Sequence, residues 1–347
     1  MNEKENRTEL SSLGEFGLIK NLTSGFTDKQ PSTIKGIGDD AAVIDYGYKV
    51  TLISTDLLVE GIHFDLSYVP LKHLGYKCAA VNFSDIYAMN GTPKQLFVSM
   101  AVSNRFPLEA LQQIYEGIKL ACERYHVDLA GGDTTSSHHG LFLSLTVSGE
   151  AKKEHVVYRN TAKENDLICV SGDLGGAYMG LLLLEREKKE FQANPNMQPD
   201  LAGYDYVLER QLKPEPRADI IELLKTAGVT PSSMIDISDG LASDVLHLCE
   251  DSKTGCVIYE DKLPIDAMTL TVSEEFNIQP VTAAMNGGED YELLFTVPLG
   301  DYEKIKNLNG ISIIGNMTEA AQGCNIASVN GPLVKIEAMG WNHMRDA

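Results

Sequence analysis

Five short acidic clusters stand at or near the ends of apolar runs: Gly38-Asp39-Asp40, Ser54-Thr55-Asp56, Ser84-Asp85, Gly131-Gly132-Asp133-Thr134 and Asp236-Ile237-Ser238-Asp239. A chain punctuated in this way buries its apolar runs as strands and helices and leaves acids on the rims where those elements end. Carboxylates and hydroxyls are hard oxygen ligands, the kind that hold Mg²⁺ through a few carboxylates, retained waters and substrate phosphates. Taken singly, each cluster is also ordinary turn and cap chemistry. Their recurrence points to a divided magnesium site.

At 347 residues the chain exceeds what one hydrophobic core usually serves, and 43% apolar content is ample for two. The division expected is residues 1–150 and 151–347. Acidic residues outnumber basic ones 49 to 29, a formal charge of −20. Such a surface argues against nucleic acid or an anionic membrane as partner, and a polyphosphate substrate would need bridging cations. The six cysteines, Cys78, Cys122, Cys169, Cys249, Cys256 and Cys324, form no CxxC pair and sit mostly among apolar residues, as buried free thiols do. No run approaches the ~18 apolar residues of a membrane span, and the N-terminal stretch is polar. A cytoplasmic location is the expectation.

Periodicity gives two α+β halves. The first reads as a helical phrase around 15–19, a strand at 50–55, a helix over 71–89, a strand at 95–102, a helix over 108–125 opened by Pro107, and a strand at 141–148. The second repeats the phrasing: strand 167–171, helix 176–187, helices within 205–227, strand 233–237, helix 240–250 and strand 256–260. Residues 188–204, with two prolines and two asparagines, read as a surface loop.

Nucleophilic catalysis finds little support, because no GxSxG elbow, HExxH pair or Walker GxxxxGK[ST] occurs. Ser171-Gly172-Asp173-Leu174-Gly175-Gly176, between a strand and a helix, is either a loose phosphate cradle or a plain tight connection. His63 follows the Ser54-Thr55-Asp56 cluster closely enough to share its cleft, whereas the other histidines read as surface or packing residues. Gly287-Gly288-Glu289-Asp290 sets a glycine hinge and acids before an apolar strand. It is either a solvated turn or a place where backbone approaches a ligand. The lone tryptophan, Trp341, either packs or stacks on a ring.

Six ordered blocks carry a family resemblance: Gly36-Ile37-Gly38-Asp39-Asp40-Ala41-Ala42-Val43, Ile53-Ser54-Thr55-Asp56, Ala80-Val81-Asn82-Phe83-Ser84-Asp85-Ile86-Tyr87-Ala88-Met89, Gly131-Gly132-Asp133-Thr134-Thr135, Asp236-Ile237-Ser238-Asp239-Gly240-Leu241 and Gly287-Gly288-Glu289-Asp290-Tyr291-Glu292-Leu293. Together they resemble the thiamine-monophosphate kinases, over about residues 14–344. Asn90-Gly91 departs from the family's usual Met-Gly by one polar residue. The resemblance implies an α+β, two-domain aminoimidazole-ribonucleotide-synthetase-like fold, with an N-terminal sheet that pairs in a homodimer and a C-terminal α/β domain. It implies ATP-dependent, Mg²⁺-dependent phosphorylation of thiamine monophosphate to thiamine diphosphate. By the same similarity Asp40, Ser54, Thr55, Asp56, Asp85, Asp133, Asp236 and Asp239 hold the metal. Tyr115, Gly132, Arg159 and Ser238 contact ATP; His63, Glu289 and Trp341 contact the thiamine phosphate.

That chemistry agrees with the absent base, since a phosphate monoester with a second pKa near ~6 is already an anionic nucleophile at neutral pH. Direct in-line transfer, without a phosphoenzyme, is therefore expected. Two rivals stand beside it. A sister enzyme such as aminoimidazole ribonucleotide synthetase or selenophosphate synthetase keeps the acids and changes the acceptor pocket, and the reactive N-terminal cysteine of the latter has no counterpart before Cys78. A non-catalytic divalent-cation or nucleotide-binding module would have no reason to retain every acidic block.

Overall fold

The computed structural model describes residues 21–35, 43–44, 49–329 and 331–338. The helical phrase at 15–19, Asp40 and Trp341 lie outside them. The chain divides into two compact units, residues 1–86 with 91–154, and residues 87–90 with 155–347.

The first unit contains a short antiparallel pair, β1 (Thr33–Lys35) and β2 (Val43–Ile44). Its main sheet contains β3 (Val50–Val59), β4 (Thr92–Val102), β5 (Asp128–Ser136) and β6 (Phe142–Ala151), in the order β3-β6-β4-β5. Neighbours are antiparallel except β4 and β5. Among the described residues it is accompanied by the long helices α1 (Leu71–Ala88) and α2 (Leu108–Tyr125). In α2 the apolar stripe Leu111, Ile114, Ile118 and Ala121 is fully buried, as its helical spacing predicts. Glycine decides how closely the helices cross: a Cβ on Gly75 would stand 1.9 Å from the Ile114 carbonyl oxygen, and one on Gly117 1.9 Å from that of Lys72. At the end of α1, Asn90 takes the left-handed conformation (φ 57°), which asparagine tolerates, and its side-chain amide donates to the His155 carbonyl at 2.8 Å. The family departure at Asn90 thus falls at a helix end.

The second unit is built on β7 (Leu167–Ser171), β8 (Ser233–Asp236), β9 (Gly255–Tyr259), β10 (Leu293–Val297), β11 (Ile311–Thr318), β12 (Cys324–Ala327) and β13 (Leu333–Lys335). Their order is β13-β12-β9-β11-β7-β10-β8, with β9 and β12 the one parallel pair among them. Its helices are α3 (Gly176–Ala193), α4 (Asp205–Leu212), α5 (Ala218–Thr226), α6 (Leu241–Ser252), α7 (Ala267–Glu275), α8 (Pro280–Asn286) and the single turn α9 (Tyr302–Ile305). Strand alternation separates two cores. Val170, Leu294 and Ile258 pack with Leu241, Val245 and Leu248 of α6. Cys169, Leu293 and Phe295 pack with Ile220 and Leu224 of α5. With both faces covered, β10 is buried at every residue.

Several features differ from the expected layout, the unforeseen strands β1, β2 and β11 to β13 among them. Helix α3 runs six residues into the segment read as loop, because Lys188 to Ala193 contains good helix formers and its breaker arrives only at Pro195. Strand β5 was not foreseen: Gly131 and Gly132 depress strand propensity, yet a Cβ at Gly132 would lie 1.9 Å from the Val98 carbonyl, so the bare backbone is what lets β5 lie there. Helices α7 and α8 also escaped the periodicity reading, being only nine and seven residues long.

Candidate functional site

In the first unit, the alternation of β3 sorts one acidic cluster onto two faces. Ser54 and Asp56 share the face of buried Leu52 and Leu58; Thr55 shares the other with exposed Ile53 and Leu57. The Ser54 hydroxyl donates to Asp85 Oδ2 from α1. Burial first, and then the Asp85 charge, push the Asp56 carboxyl up to about 7. Burial likewise raises Asp85, against the Ser54 hydrogen bond. Ser54, Asp56 and Asp85 are thereby brought together. Thr55 is turned away, its hydroxyl donating to the Leu145 carbonyl at 3.0 Å and lying 2.8 Å from that of Thr146.

The remaining first-unit residues are more dispersed. Asp133 is exposed on β5, at the sheet edge opposite β3, about 14 Å away at the usual strand spacing. Its Oδ1 accepts from the Thr134 amide at 2.9 Å. His63 lies in the turn after β3, where its Nδ1 accepts from the Val59 amide at 3.1 Å. Tyr115 is buried in α2 beside the Phe26 ring, with centroids 6.5 Å apart and edge-on, and burial lifts its hydroxyl to about 12.

A second acidic group lies in the other unit, where β8 ends at Asp236 and α6 begins. Asp236, Asp239 and Asp244 face one another there. Burial, then Asp236 and Asp239, push the Asp244 carboxyl up to about 8, against hydrogen bonds from the Asp239 and Ser238 backbone. Asp244 is 2% exposed, and its Oδ2 has no hydrogen-bond partner. The sequence reading missed this residue, because an acid in the first turn of a helix is common cap chemistry. Crowded carboxylates, one of them raised and left with an orphaned oxygen, are a donor set that suits a hard divalent cation.

The loop 287–291 is laced to the same corner. Glu289 N donates to Ser238 O at 2.7 Å, Tyr291 N to Ile237 O at 2.8 Å and Ile237 N to Glu292 O at 2.8 Å. Glu289 and Tyr291 both take positive φ, 66° and 51°, conformations that a non-glycine residue holds only when its surroundings impose them. A Cβ at Gly288 would stand 2.6 Å from Ser238 O, so this close approach requires glycine. Glu289 accepts from Gln211 Nε2 at 2.8 Å.

Two acids, Asp290 of this loop and Glu292 just after it, are structural. Asp290 accepts from the Gly175 amide at 2.8 Å and the Ala177 amide at 3.4 Å. The amides that open α3 are therefore already taken by a carboxylate, and the 171–176 turn is a tight connection and not a phosphate cradle. Burial pushes Asp290 to about 7 even against Arg210. Glu292, 1% exposed, accepts from Arg210 Nη1 at 2.9 Å and from Arg217 Nη1 and the Ser171 hydroxyl. Arg159 is exposed and ion-paired to Asp251, Nε to Oδ2 at 2.6 Å. Such a pair is worth little and is readily exchanged.

Comparison with known proteins first places the chain in a class. Residues 38–151 match the family described as AIR synthase related protein, N-terminal domain. The chain is 34% identical to the thiamine-monophosphate kinase of Bacillus subtilis over 96% of its own length and all of that protein. It is also 34% identical to that of Aquifex aeolicus, over 96% of its length and 99% of the relative. Among solved structures, AaThiL complexed with AMPPCP and TMP superposes with a TM-score of 0.73 at 32% identity, covering 98% of this chain and 100% of that one. The Stenotrophomonas maltophilia thiamine-monophosphate kinase gives 0.76 at 26% identity, covering 94% and 98%. The chain belongs to the thiamine-monophosphate kinase family.

Proposed function

We propose that this protein transfers the γ-phosphate of ATP to the phosphate of thiamine monophosphate, directly and in line. The observation that carries the reading is the pair of acidic groups, Ser54–Asp56–Asp85 and Asp236–Asp239–Asp244, in a family member alignable over almost its whole length. Ser54, Asp56 and Asp85 in the first unit, and separately Asp236, Asp239 and Asp244 in the second, are the residues that would hold Mg²⁺. When bound, such ions supply neutralisation between two phosphates that otherwise repel. Asp40, Thr55 and Asp133 complete the set by family resemblance, Thr55 through groups other than its occupied hydroxyl.

Tyr115, Gly132, Arg159 and Ser238 are assigned to ATP, and His63, Glu289 and Trp341 to thiamine monophosphate. Arg159 has only to exchange its exposed Asp251 partner for a phosphate, which its planar donor fork suits. The strained backbone of Glu289 supports a ligand role, because such conformations persist where the position of a side chain matters. No described side chain is needed as a strong base, since the acceptor phosphate is already anionic. A cytoplasmic homodimer formed through the first unit completes the reading; exposed Ile53 and Leu57 favour it. No helix among the described residues is long and apolar enough to cross a membrane.

A coupled ADP-release assay tests the proposal. ADP should appear only when thiamine monophosphate and Mg²⁺ are both present. Release with neither acceptor nor turnover of it, or with another acceptor alone, contradicts it.

A further inference from the structure

Three of the six cysteines converge in the second unit, far apart in sequence and matching no metal motif. Cys249 lies in the last turn of α6, Cys256 on β9 and Cys324 on β12, and their sulfurs all lie within 4.8 Å of one another. The fold makes this meeting firm. Strands β9 and β12 run parallel with Cys256 and Cys324 in register, and the Cys256 amide donates to Gly323 O at 3.1 Å. Lys253, left-handed at φ 57°, caps α6 and turns the chain into β9, while Thr254 N donates back to Cys249 O at 3.0 Å.

We propose that Cys249, Cys256 and Cys324 form a three-thiolate site for a soft d¹⁰ cation, Zn²⁺ or Cu⁺, separate from the phosphoryl-transfer residues. Donor chemistry selects the class: among the described residues no carboxylate or imidazole joins the three sulfurs, and an all-thiolate set prefers soft ions to Mg²⁺. Size agrees. A metal–sulfur bond of ~2.3 Å in tetrahedral geometry places sulfurs ~3.8 Å apart, so the trio need contract by about 1 Å at most. A disulfide fits less well, because neighbouring strands at ~4.8 Å hold side chains wider than the ~3.8 Å between the Cβ atoms of a cystine, and a third thiol would be left over.

Two further observations support the site. The buried Thr254 hydroxyl, in the turn between Cys249 and Cys256, has no hydrogen-bond partner. Lys335, on the strand next to β12, places a positive charge near Cys324 that partly offsets the bound thiolates. Cys324 is only half-buried, whereas Cys249 and Cys256 are buried, so access for the ion lies on its side. Zn²⁺ binding releases up to three protons and leaves a net charge of −1; Cu⁺ leaves −2. The ion would tie the end of α6 to two strands of the sheet.

The full chain, reduced, freed of metal and kept in saturating Mg²⁺, is given one equivalent of Zn²⁺ or of Cu⁺ and passed through gel filtration. Close to one equivalent of either ion should be retained and the melting temperature should rise by several degrees, as binding to the native state alone requires. Both effects should vanish in Cys256→Ser/Cys324→Ser. Retention below about a fifth of an equivalent of both ions, or undiminished retention by the variant, overturns the site. Should the double variant not fold, X-ray absorption on the zinc-loaded wild type decides. Three sulfurs at ~2.3 Å support the site, and a shell of oxygen and nitrogen alone refutes it.

Discussion

Asp56, proposed above as a metal ligand, shows how a single buried carboxylate can be costly to the fold. Its folded value of about 7 lies above the ordinary 3.8, so between those pH values the folded chain binds more protons than the unfolded one. Metal-free protein should therefore lose stability as pH rises from about 4 to 7 and stay at the lower level above that. The shift caps the effect at roughly 4 kcal/mol, with partial solvent access reducing it. Asp56→Asn, a neutral isostere, should stabilise the metal-free protein at pH 8 by about 1–3 kcal/mol and lower turnover by ~10²-fold or more. Urea denaturation with a chelator at pH 5 and pH 8, beside the ADP assay, checks both; near-normal turnover at saturating Mg²⁺ would remove Asp56 from the metal site. Asp244→Asn should behave alike over a window reaching about 8, because its carboxyl is raised in the same direction by burial and by two acidic neighbours.

Individual elements are held by contacts of quite different kinds. Strand β10 begins beside Glu292, whose carboxylate is shared by Arg210, Arg217 and Ser171. Removing one partner of a buried ion pair leaves the others charged and unmatched, so Glu292→Gln should destabilise the second unit by about 3–5 kcal/mol. A melting-temperature change under a degree would show that the arginines find other partners. In the first unit the determinant is steric. Gly117→Ala places a methyl 1.9 Å from backbone of α1, which cannot yield as a side chain can, and a loss of about 2–3 kcal/mol or more is expected by denaturant titration. An unchanged midpoint would mean that α1 and α2 slide apart freely.

At the scale of the whole molecule, the first unit leaves an apolar strip, Ile53 at 68% and Leu57 at 54% exposure, on the sheet face turned away from Ser54 and Asp56. Side chains this apolar and this open are expected to be covered by a second copy. Ile53→Lys/Leu57→Lys should convert a dimer to monomer in analytical ultracentrifugation while the face of β3 that carries Ser54 and Asp56 keeps its side chains. A wild-type protein that sediments as a monomer would count against the pairing.

Much of this protein is legible without coordinates. Helix α2 and strands β3, β4, β6 and β7 follow from periodicity, since each must bury one face or run and its local pattern says which. The acidic clusters are legible too, because Asp, Ser and Gly recur where apolar runs stop. Tertiary structure decided what those residues meet. Only the pleat of β3 separates Ser54 and Asp56 from Thr55, and only the laced loops at 236–244 and 287–292 reveal that Asp244 is buried and orphaned while Asp290 serves a helix end. Three cysteines scattered over 249–324 become neighbours for the same reason. Periodicity records which face of an element is buried; it carries no information about which distant residue is waiting there.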